Sequence, residues 1–278
     1  GGLRGGTLPV AQAYIADVTE PEDRAGRMGL MGAAIGAGFV LGPGIGWLLT
    51  RTGSGDTDFR AAFMIASAVG LAGFLVALLF LKEPTAKVKG DGARSIVVRM
   101  RSFSIAGAIP SVLFPLLILT VIAFCMAGLE STFALWTERQ LNWGVREVSI
   151  FFLFIGFLMV IVQGGVVRPL SKSVGEGWLI IFGLLVMSVG FATVLIVYSP
   201  QMAFFGGTLI AVGFGLANPS LSAVISRNAP DEHQGAAMGA SQATQSLCRI
   251  FGPLAFGAAF EGLGRNTPYL GGALLLFL

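Results

Sequence analysis

Glu130 is the residue of this chain that is best suited to carry a proton. It lies in a long apolar stretch, between Gly128 and the pair Ser131-Thr132. At membrane depth an ionisable group costs roughly 2.5–3.5 kcal/mol unless it is protonated, paired or hydrated. A carboxyl group there can be neutral in one state of the protein and release its proton in another. We therefore predict a proton-coupling role, and the alternatives are a static polar contact or hydration near the outer face.

Arg249 is the second deep charge, and Gln242, Gln245 and Ser246 accompany it at helical spacing. A guanidinium group stays charged, so Arg249 is not a proton carrier. It either pairs with an acid from another helix or attracts an anionic substrate. The two glutamines are candidates for the lining of a solute cavity, and interhelical hydrogen bonds are the equally open alternative.

The remaining reactive residue types do not form a catalytic pattern. His233 is the single histidine, and Cys125 and Cys248 fit no metal or redox spacing. The sequence contains no HExxH, GxSxG or GxxxxGK[ST] motif. We predict that the protein is not an enzyme and that it uses no metal and no cofactor. Transport energy would then come from an ion gradient or from the gradient of the substrate.

The elements that position these residues are membrane-spanning helices. The chain is 54% hydrophobic and only 12% charged, about half the charge of an ordinary soluble domain. Its net charge of +3 requires no nucleic-acid partner. We predict an all-α membrane protein in a lipid bilayer. Runs that are long enough to cross it lie at about 28–49, 61–81, 112–136, 148–167, 178–198, 203–225 and 236–260, with partial runs at both ends.

A long internal repeat divides the chain into two tandem halves. The segment 9–46 recurs in weakened form at 219–256, and Pro43 and Pro253 are matched positions 210 residues apart. Parallel repeats are typical of secondary transporters. The offset predicts twelve spans, with about a hundred residues and three helices absent upstream and about a dozen residues absent downstream. The predicted divisions are the later part of the first six-helix bundle at 1–81, a cytoplasmic linker at 82–108 and the second bundle at 109–278.

Basic residues in the short loops predict the orientation. With the turn at 17–27 in the cytoplasm, eleven lysines and arginines lie on that side and five on the other. This asymmetry agrees with the positive-inside rule. The outer side then holds Arg51, Arg60, Arg139, Arg146 and Arg265.

Glycines four residues apart mark the fifth span, as Gly38, Gly42 and Gly46 with Pro43 inserted. Such glycines let another helix approach closely, and the proline bends its helix. The second half repeats the pair as Gly252-Pro253. We predict a gating interface where the halves seal and slide during alternating access. Generic packing of small residues is the alternative.

Asp17 and Arg24 flank the turn that follows the fourth span. They are candidates for a cytoplasmic charge latch that opens as the halves rotate. Helix capping by Thr19, with Glu22 and Asp23 at the positive end of the next helix, is a competing reading of the same turn.

These motifs carry a family resemblance. The pattern Gly38-x-x-x-Gly42-Pro43-x-x-Gly46 resembles the antiporter motif of the fifth helix in the drug:proton antiporter branch of the major facilitator superfamily. Residues 13–19, with Arg24-Ala25, are similar to the end of the fourth helix in its tetracycline and multidrug efflux members. Trp47 stands where the family usually has a second glycine. The second-half loop at 165–175 is a degenerate copy of the family's loop signature and lacks its acid.

The resemblance implies two pseudo-symmetric six-helix bundles, the first incomplete, that export a hydrophobic small molecule in exchange for protons. It also implies a monomer in a bacterial-type cell membrane. Because helices one, four, seven and ten usually line the cavity in this superfamily, it favours Gln12, Glu130 and Asn218 as cavity residues. A sugar or metabolite facilitator or symporter on the same scaffold is the first alternative. A receptor or scaffold without transport is the second.

Overall fold

The computed structural model describes residues 59–80, 110–230 and 234–278, together with the helical positions Gly38, Leu41, Gly42, Gly44, Ile45 and Leu48. The chain divides into two compact units, one of Gly1–Gly90 with Gly144–Leu153 and the other of Asp91–Trp143 with Phe154–Leu278. The boundaries 1–81, 82–108 and 109–278 stay a prediction. The predicted roles of Gln12, Asp17, Arg24, Pro43 and Gly46, and the linker 82–108, fall outside the described residues.

The regular elements of the described residues are all helical, as the composition predicts. In the twelve-span numbering, α1 is span six and α2 span seven, α3 and α4 together are span eight, and α5 to α8 are spans nine to twelve. The elements are α1 Phe59–Phe80, α2 Pro110–Leu141, α3 Val145–Ile161, a π-helical turn Val162–Val166, α4 Val167–Val174, α5 Glu176–Thr193, a 3₁₀ turn Val194–Ile196, α6 Pro200–Asn228, α7 Gln234–Gly262 and α8 Thr267–Phe277.

Four helical segments within the described ranges are long and apolar enough to cross a membrane. They are Pro110–Leu141, Val145–Val174, Glu176–Ile196 and Pro200–Asn228. The helix α7 has 29 residues, as many as α6. It falls outside this group because Gln242, Gln245 and Arg249 interrupt its apolar surface.

Local sequence signals explain where these helices begin and end. At the end of α2, Asn142 adopts a left-handed conformation with φ of 53°, which asparagine tolerates better than most residues. The N–H of the following Trp143 donates to the carbonyl of Thr137 at 3.3 Å, which closes the last turn. At the start of α6, the Ser199 hydroxyl accepts from the N–H of Met202 at 3.4 Å, and Pro200 occupies the first turn.

The last part of span eight differs from the sequence-based expectation. Residues 165–175 were predicted as a loop, whereas the structure continues through the π-helical turn Val162–Val166 into α4, which ends at Val174. Pro169 lies in α4 just after the π-helical turn, where the regular pattern of α-helical hydrogen bonds is already interrupted. Gly175, with φ of 84°, ends the helix in a conformation that favours glycine.

Glycines bring α5 and α6 into backbone contact at two levels. A Cβ atom placed on Gly183 would lie 2.7 Å from the carbonyl oxygen of Gly213. About two turns further along α5, a Cβ on Gly190 would lie 2.8 Å from the backbone nitrogen of Ile210 and 3.0 Å from the carbonyl oxygen of Gly206. Only glycine permits this approach. This seam was not predicted from the sequence. Its signal there is the seven-residue spacing of glycines in both helices, 183 with 190 and 206 with 213.

Hydrogen bonds attach α8 to α2 and α5. The Ser188 hydroxyl of α5 donates to the carbonyl of Ala273 at 2.8 Å. The Trp136 indole of α2 donates to the Asn266 side chain at 2.9 Å. The hydroxyls of Thr132 and Tyr269 lie 2.9 Å apart in the buried core. Because Thr132 donates its own proton to the carbonyl of Gly128 at 2.9 Å, Tyr269 is the donor of this pair.

This arrangement predicts unequal effects of two conservative substitutions. Tyr269→Phe leaves Thr132 bonded to Gly128, so we expect a loss of about 0.6–1 kcal/mol of stability. Thr132→Val leaves the buried Tyr269 hydroxyl without its acceptor, so we expect a loss of about 1–3 kcal/mol. Thermal unfolding of both variants in the same detergent measures the order. An equal or reversed order would contradict the assigned direction of the hydrogen bond.

Candidate functional site

Close packing of α2 against α7 forms the framework of the candidate site. A Cβ atom placed on Gly252 would lie 2.9 Å from the carbonyl oxygen of Phe124 and 3.0 Å from the Cβ of Ala127. One on Gly128 would overlap the ring of Phe256. The backbones of the two helices therefore approach each other closely, because a glycine on each helix packs directly against residues of the other. This packing fixes the angular relation of the side chains that flank the seam.

Glu130 and Arg249 flank that seam from opposite helices. Both side chains are exposed, and they lie close enough for the charge of Arg249 to act on the Glu130 carboxyl. Among the described residues no ion pair within 4.0 Å joins them. The structure thus brings the two deep charges together, as interacting groups without direct contact. Of the two options that the sequence left open for Arg249, it supports proximity to an acid.

The polar residues predicted to accompany this pair are distributed over two helices. Gln242 and Gln245 are half-buried and precede Arg249 by seven and four residues, so all three share one side of α7. Asn218 is half-buried in α6, directly before Pro219. Within the described part of the chain, no hydrogen bond joins the Asn218 side chain to Glu130. The structure therefore groups the glutamines with the charged pair and leaves Asn218 on a separate helix.

An apolar cleft of about 430 Å³ lies between the first half of α2 and the middle of α7. The helices that touch near Gly128 and Gly252 leave this space before they converge. Its few polar groups are the hydroxyls of Thr120 and Thr244 and the thiol of Cys248. The lining residues are Leu113, Leu116, Leu117, Thr120, Phe124, Thr244, Leu247, Cys248 and Phe251. Such a cleft suits the apolar part of a ligand or a lipid chain.

Most of the chain matches the sequence model of one known protein family. The family model of the Major Facilitator Superfamily matches residues 1–253. The chain belongs to the Major Facilitator Superfamily. It is therefore a transporter and a multi-pass membrane protein rather than an enzyme, and the predicted all-α major facilitator fold is confirmed.

Individual relatives of this superfamily member support the same assignment. It is 31% identical to the class C tetracycline resistance protein of Escherichia coli, over 99% of this chain and 68% of that protein. It is 28% identical to multidrug resistance protein 1 of Bacillus subtilis (strain 168), over 94% of this chain and 64% of that protein. The crystal structure of the human organic anion transporter MFSD10 (TETRAN) has the same fold, with a TM-score of 0.72 and 21% identity, over 98% of this chain and 66% of that one.

The aromatic residues of α2 occupy different positions in this transporter from those that the sequence suggested. From the sequence alone, the aromatic side chains of Phe133 and Trp136 in span seven are equally consistent with contact to a lipophilic substrate and with contact to lipid. They are 4% and 1% exposed and pack against each other with ring centroids 6.2 Å apart. Trp136 also contacts Tyr269 edge-on at 5.9 Å. They are core residues, because hydrogen-bond partners from α8 cover that face of the helix. Phe124, by contrast, lines the apolar cleft.

The glycines of the two antiporter-like motifs have unequal surroundings. Gly38 and Gly42 are helical and exposed, and no atom of the described residues lies within 4 Å of a Cβ built on either. Gly252 is buried against α2, and Pro253 lies half-buried inside α7. In the second half, the Gly-Pro pair thus lies at a seam within one unit.

Proposed function

We propose that this transporter exports a hydrophobic small molecule in exchange for protons and that Glu130 is the group that takes up and releases the proton. The observation that carries the proposal is the position of Glu130 and Arg249, two opposite charges without an ion pair within 4.0 Å among the described residues, on exposed sides of two helices that pack closely through glycines. The names of the relatives support the direction and the cargo, since they are tetracycline and multidrug resistance proteins.

The net charge of Glu130 and Arg249 together depends on whether Glu130 carries a proton. With Glu130 ionised, its negative charge offsets the guanidinium of Arg249 and the pair is neutral overall. With Glu130 protonated, Arg249 is left as an uncompensated positive charge. Because an uncompensated charge at membrane depth is costly unless it is hydrated, protonation favours whichever state opens this pair to water. A proton can in this way shift the equilibrium between two transport states.

The apolar cleft favours a hydrophobic cargo. Six of its nine lining residues are leucine or phenylalanine, and the gain from burying apolar surface is roughly proportional to its area. We extend the proposal to hydrogen bonds between the cargo and Gln12, Asn218, Gln242 or Gln245. We also retain as proposals the gate at Gly38, Gly42, Pro43, Gly46, Gly252 and Pro253, the Asp17–Arg24 latch and function as a monomer.

Transport by the protein in liposomes tests the proposed function. An imposed pH gradient should drive accumulation of tetracycline or a lipophilic cation, and a protonophore should abolish it. Movement that follows only the gradient of the solute, unchanged by the protonophore, would make the protein a facilitator. The proposed cargo class would be overturned if no hydrophobic compound of a test panel accumulated while a sugar or metabolite did.

The Glu130–Arg249 pair predicts non-additive effects of charge removal. Arg249→Gln leaves Glu130 without its compensating charge, and Glu130→Gln leaves Arg249 alone, so each should lower the thermal unfolding midpoint. The double variant removes both charges and should unfold at a higher temperature than Arg249→Gln. For comparison, Arg146→Gln combined with Glu130→Gln should be additive, because Arg146 lies outside this pair. Additivity in both combinations would show that Glu130 and Arg249 do not interact.

A further inference from the structure

Two arginines from different segments meet where α2 and α7 end, on the side that the positive-inside rule predicts to be outside. The guanidinium carbon of Arg139 lies 4.9 Å from the centroid of the Phe260 ring. Arg265, in the turn between α7 and α8, donates from Nη1 to the backbone carbonyl of Arg139 at 3.3 Å. Both side chains are exposed. The hydrogen bond places the guanidinium of Arg265 against the backbone of Arg139, so both positive charges lie at the same end of α2 and α7.

Among the residues that the structure describes, no neighbouring acid neutralises these two charges. Glu138 precedes Arg139 in the chain and Glu261 follows Phe260, and both are exposed. Across the described ranges, no ion pair within 4.0 Å joins either acid to Arg139 or Arg265. Like charges held close together repel each other, and a bound anion would relieve that repulsion. Each guanidinium also carries five N–H donors in a planar fork, which leaves donors available for a ligand.

The depth of the pair points to the headgroup region of the membrane. With a rise of 1.5 Å per residue, the 32 residues of α2 span about 47 Å, more than the ~30 Å hydrocarbon core. Arg139 is two residues from the end of α2, and Arg265 follows the end of α7. Both therefore lie at the level of lipid headgroups. Beside them, the side chains of Leu263 and Leu270 are exposed and offer apolar surface at the boundary with the lipid chains.

We infer that Arg139 and Arg265 form a binding site for the phosphate of an anionic phospholipid in the outer leaflet. Phosphate oxygens match the planar donor fork of arginine and accept two parallel hydrogen bonds. Basic pockets between transmembrane helices on the cytoplasmic side bind anionic lipid headgroups, and the same phosphate chemistry applies to two arginines on the opposite side. The bound lipid connects the end of α2 to the turn that begins α8, and so stabilises the outer ends of three helices.

Lipid binding to the purified protein in a neutral detergent tests the site. Native mass spectrometry should show tighter binding of phosphatidylglycerol than of phosphatidylcholine with the same acyl chains. At about 1 kcal/mol for each basic residue near the headgroups, replacing either arginine by glutamine should weaken phosphatidylglycerol binding about 5-fold. Arg139→Gln/Arg265→Gln should remove the preference between the two lipids. Arg146→Gln, another exposed arginine, should leave it unchanged.

Three outcomes would overturn the inference. One is an undiminished preference for phosphatidylglycerol in a folded double variant. The second is an equal loss in Arg146→Gln, which would indicate general charge attraction. The third is an equal rise in the unfolding temperature with inorganic phosphate, which would make the pair a site for a soluble anion. Arg265→Gln keeps Arg139 over Phe260 and serves as the test if the double variant does not fold.

Discussion

Glu130→Gln is expected to reduce transport driven by a pH gradient to the level measured without a gradient. Glutamine keeps the size and much of the hydrogen-bonding capacity of a protonated glutamate, but it cannot release a proton. The carrier would then remain able to bind its cargo, so exchange of labelled for unlabelled substrate across the membrane should continue. Liposomes loaded with fluorescent or radiolabelled substrate measure both activities in one preparation.

The matched control for this substitution is Glu138→Gln. Glu138 lies on the same helix and is also exposed, but it is about 12 Å further along the axis, near the C-terminal end of α2. Its replacement should leave gradient-driven transport unchanged. Equal losses in the two variants would indicate a general requirement for acidic residues on α2. Full gradient-driven transport by Glu130→Gln would exclude this carboxyl as the proton carrier.

Gly213→Ala is expected to destabilise the protein strongly, although alanine is the better helix former. The added methyl group would lie 2.7 Å from the backbone nitrogen and 2.8 Å from the Cβ of Met187. Because backbone atoms cannot rotate away, α5 and α6 would have to separate. Overpacking of this kind costs typically about 1–3 kcal/mol, and more where helices must move. Thermal unfolding and the yield of monodisperse protein measure the loss.

The comparison variant is Gly257→Ala in α7, where no described atom lies within 4 Å of the added methyl group. There the gain in helix propensity, up to about 1 kcal/mol, should leave stability unchanged or higher. The difference between the two alanine variants isolates the steric effect from the propensity effect. A stable Gly213→Ala variant would mean that α5 and α6 do not meet at backbone distance.

The sequence predicted the helices of this protein better than their mutual contacts. Apolar runs identified α2, α3, α5, α6 and α7, because the bilayer requires long uninterrupted apolar segments. The seam of Gly183 and Gly213 was not foreseen, because the chain has 40 glycines and a spacing rule does not say which of them face each other. The burial of Phe133 and Trp136 was missed for a related reason, since in a membrane both the core and the lipid-facing surface are apolar.

At the candidate site, too, the individual residues were predictable from the sequence and their contacts were not. Glu130 and Arg249 were identified individually, since any charge in an apolar run is conspicuous. Their proximity could not be derived, because it depends on how α2 and α7 are rotated about their axes. That rotation follows from the contacts of Gly128 with Phe256 and of Gly252 with Phe124. Residue type therefore indicated the chemistry, and the packing of glycines decided which groups act together.

The π-helical turn Val162–Val166 changes the direction in which the side chains of α4 point relative to those of α3. A π turn holds about one residue more than an α turn, and one residue corresponds to about 100° around the helix axis. The side chains of α3 and α4 therefore belong to two different helical wheels, although the span is continuous. Changing the length of this turn by one residue rotates the end that carries Arg168 and Lys172 relative to the end that carries α3, without altering the composition of either.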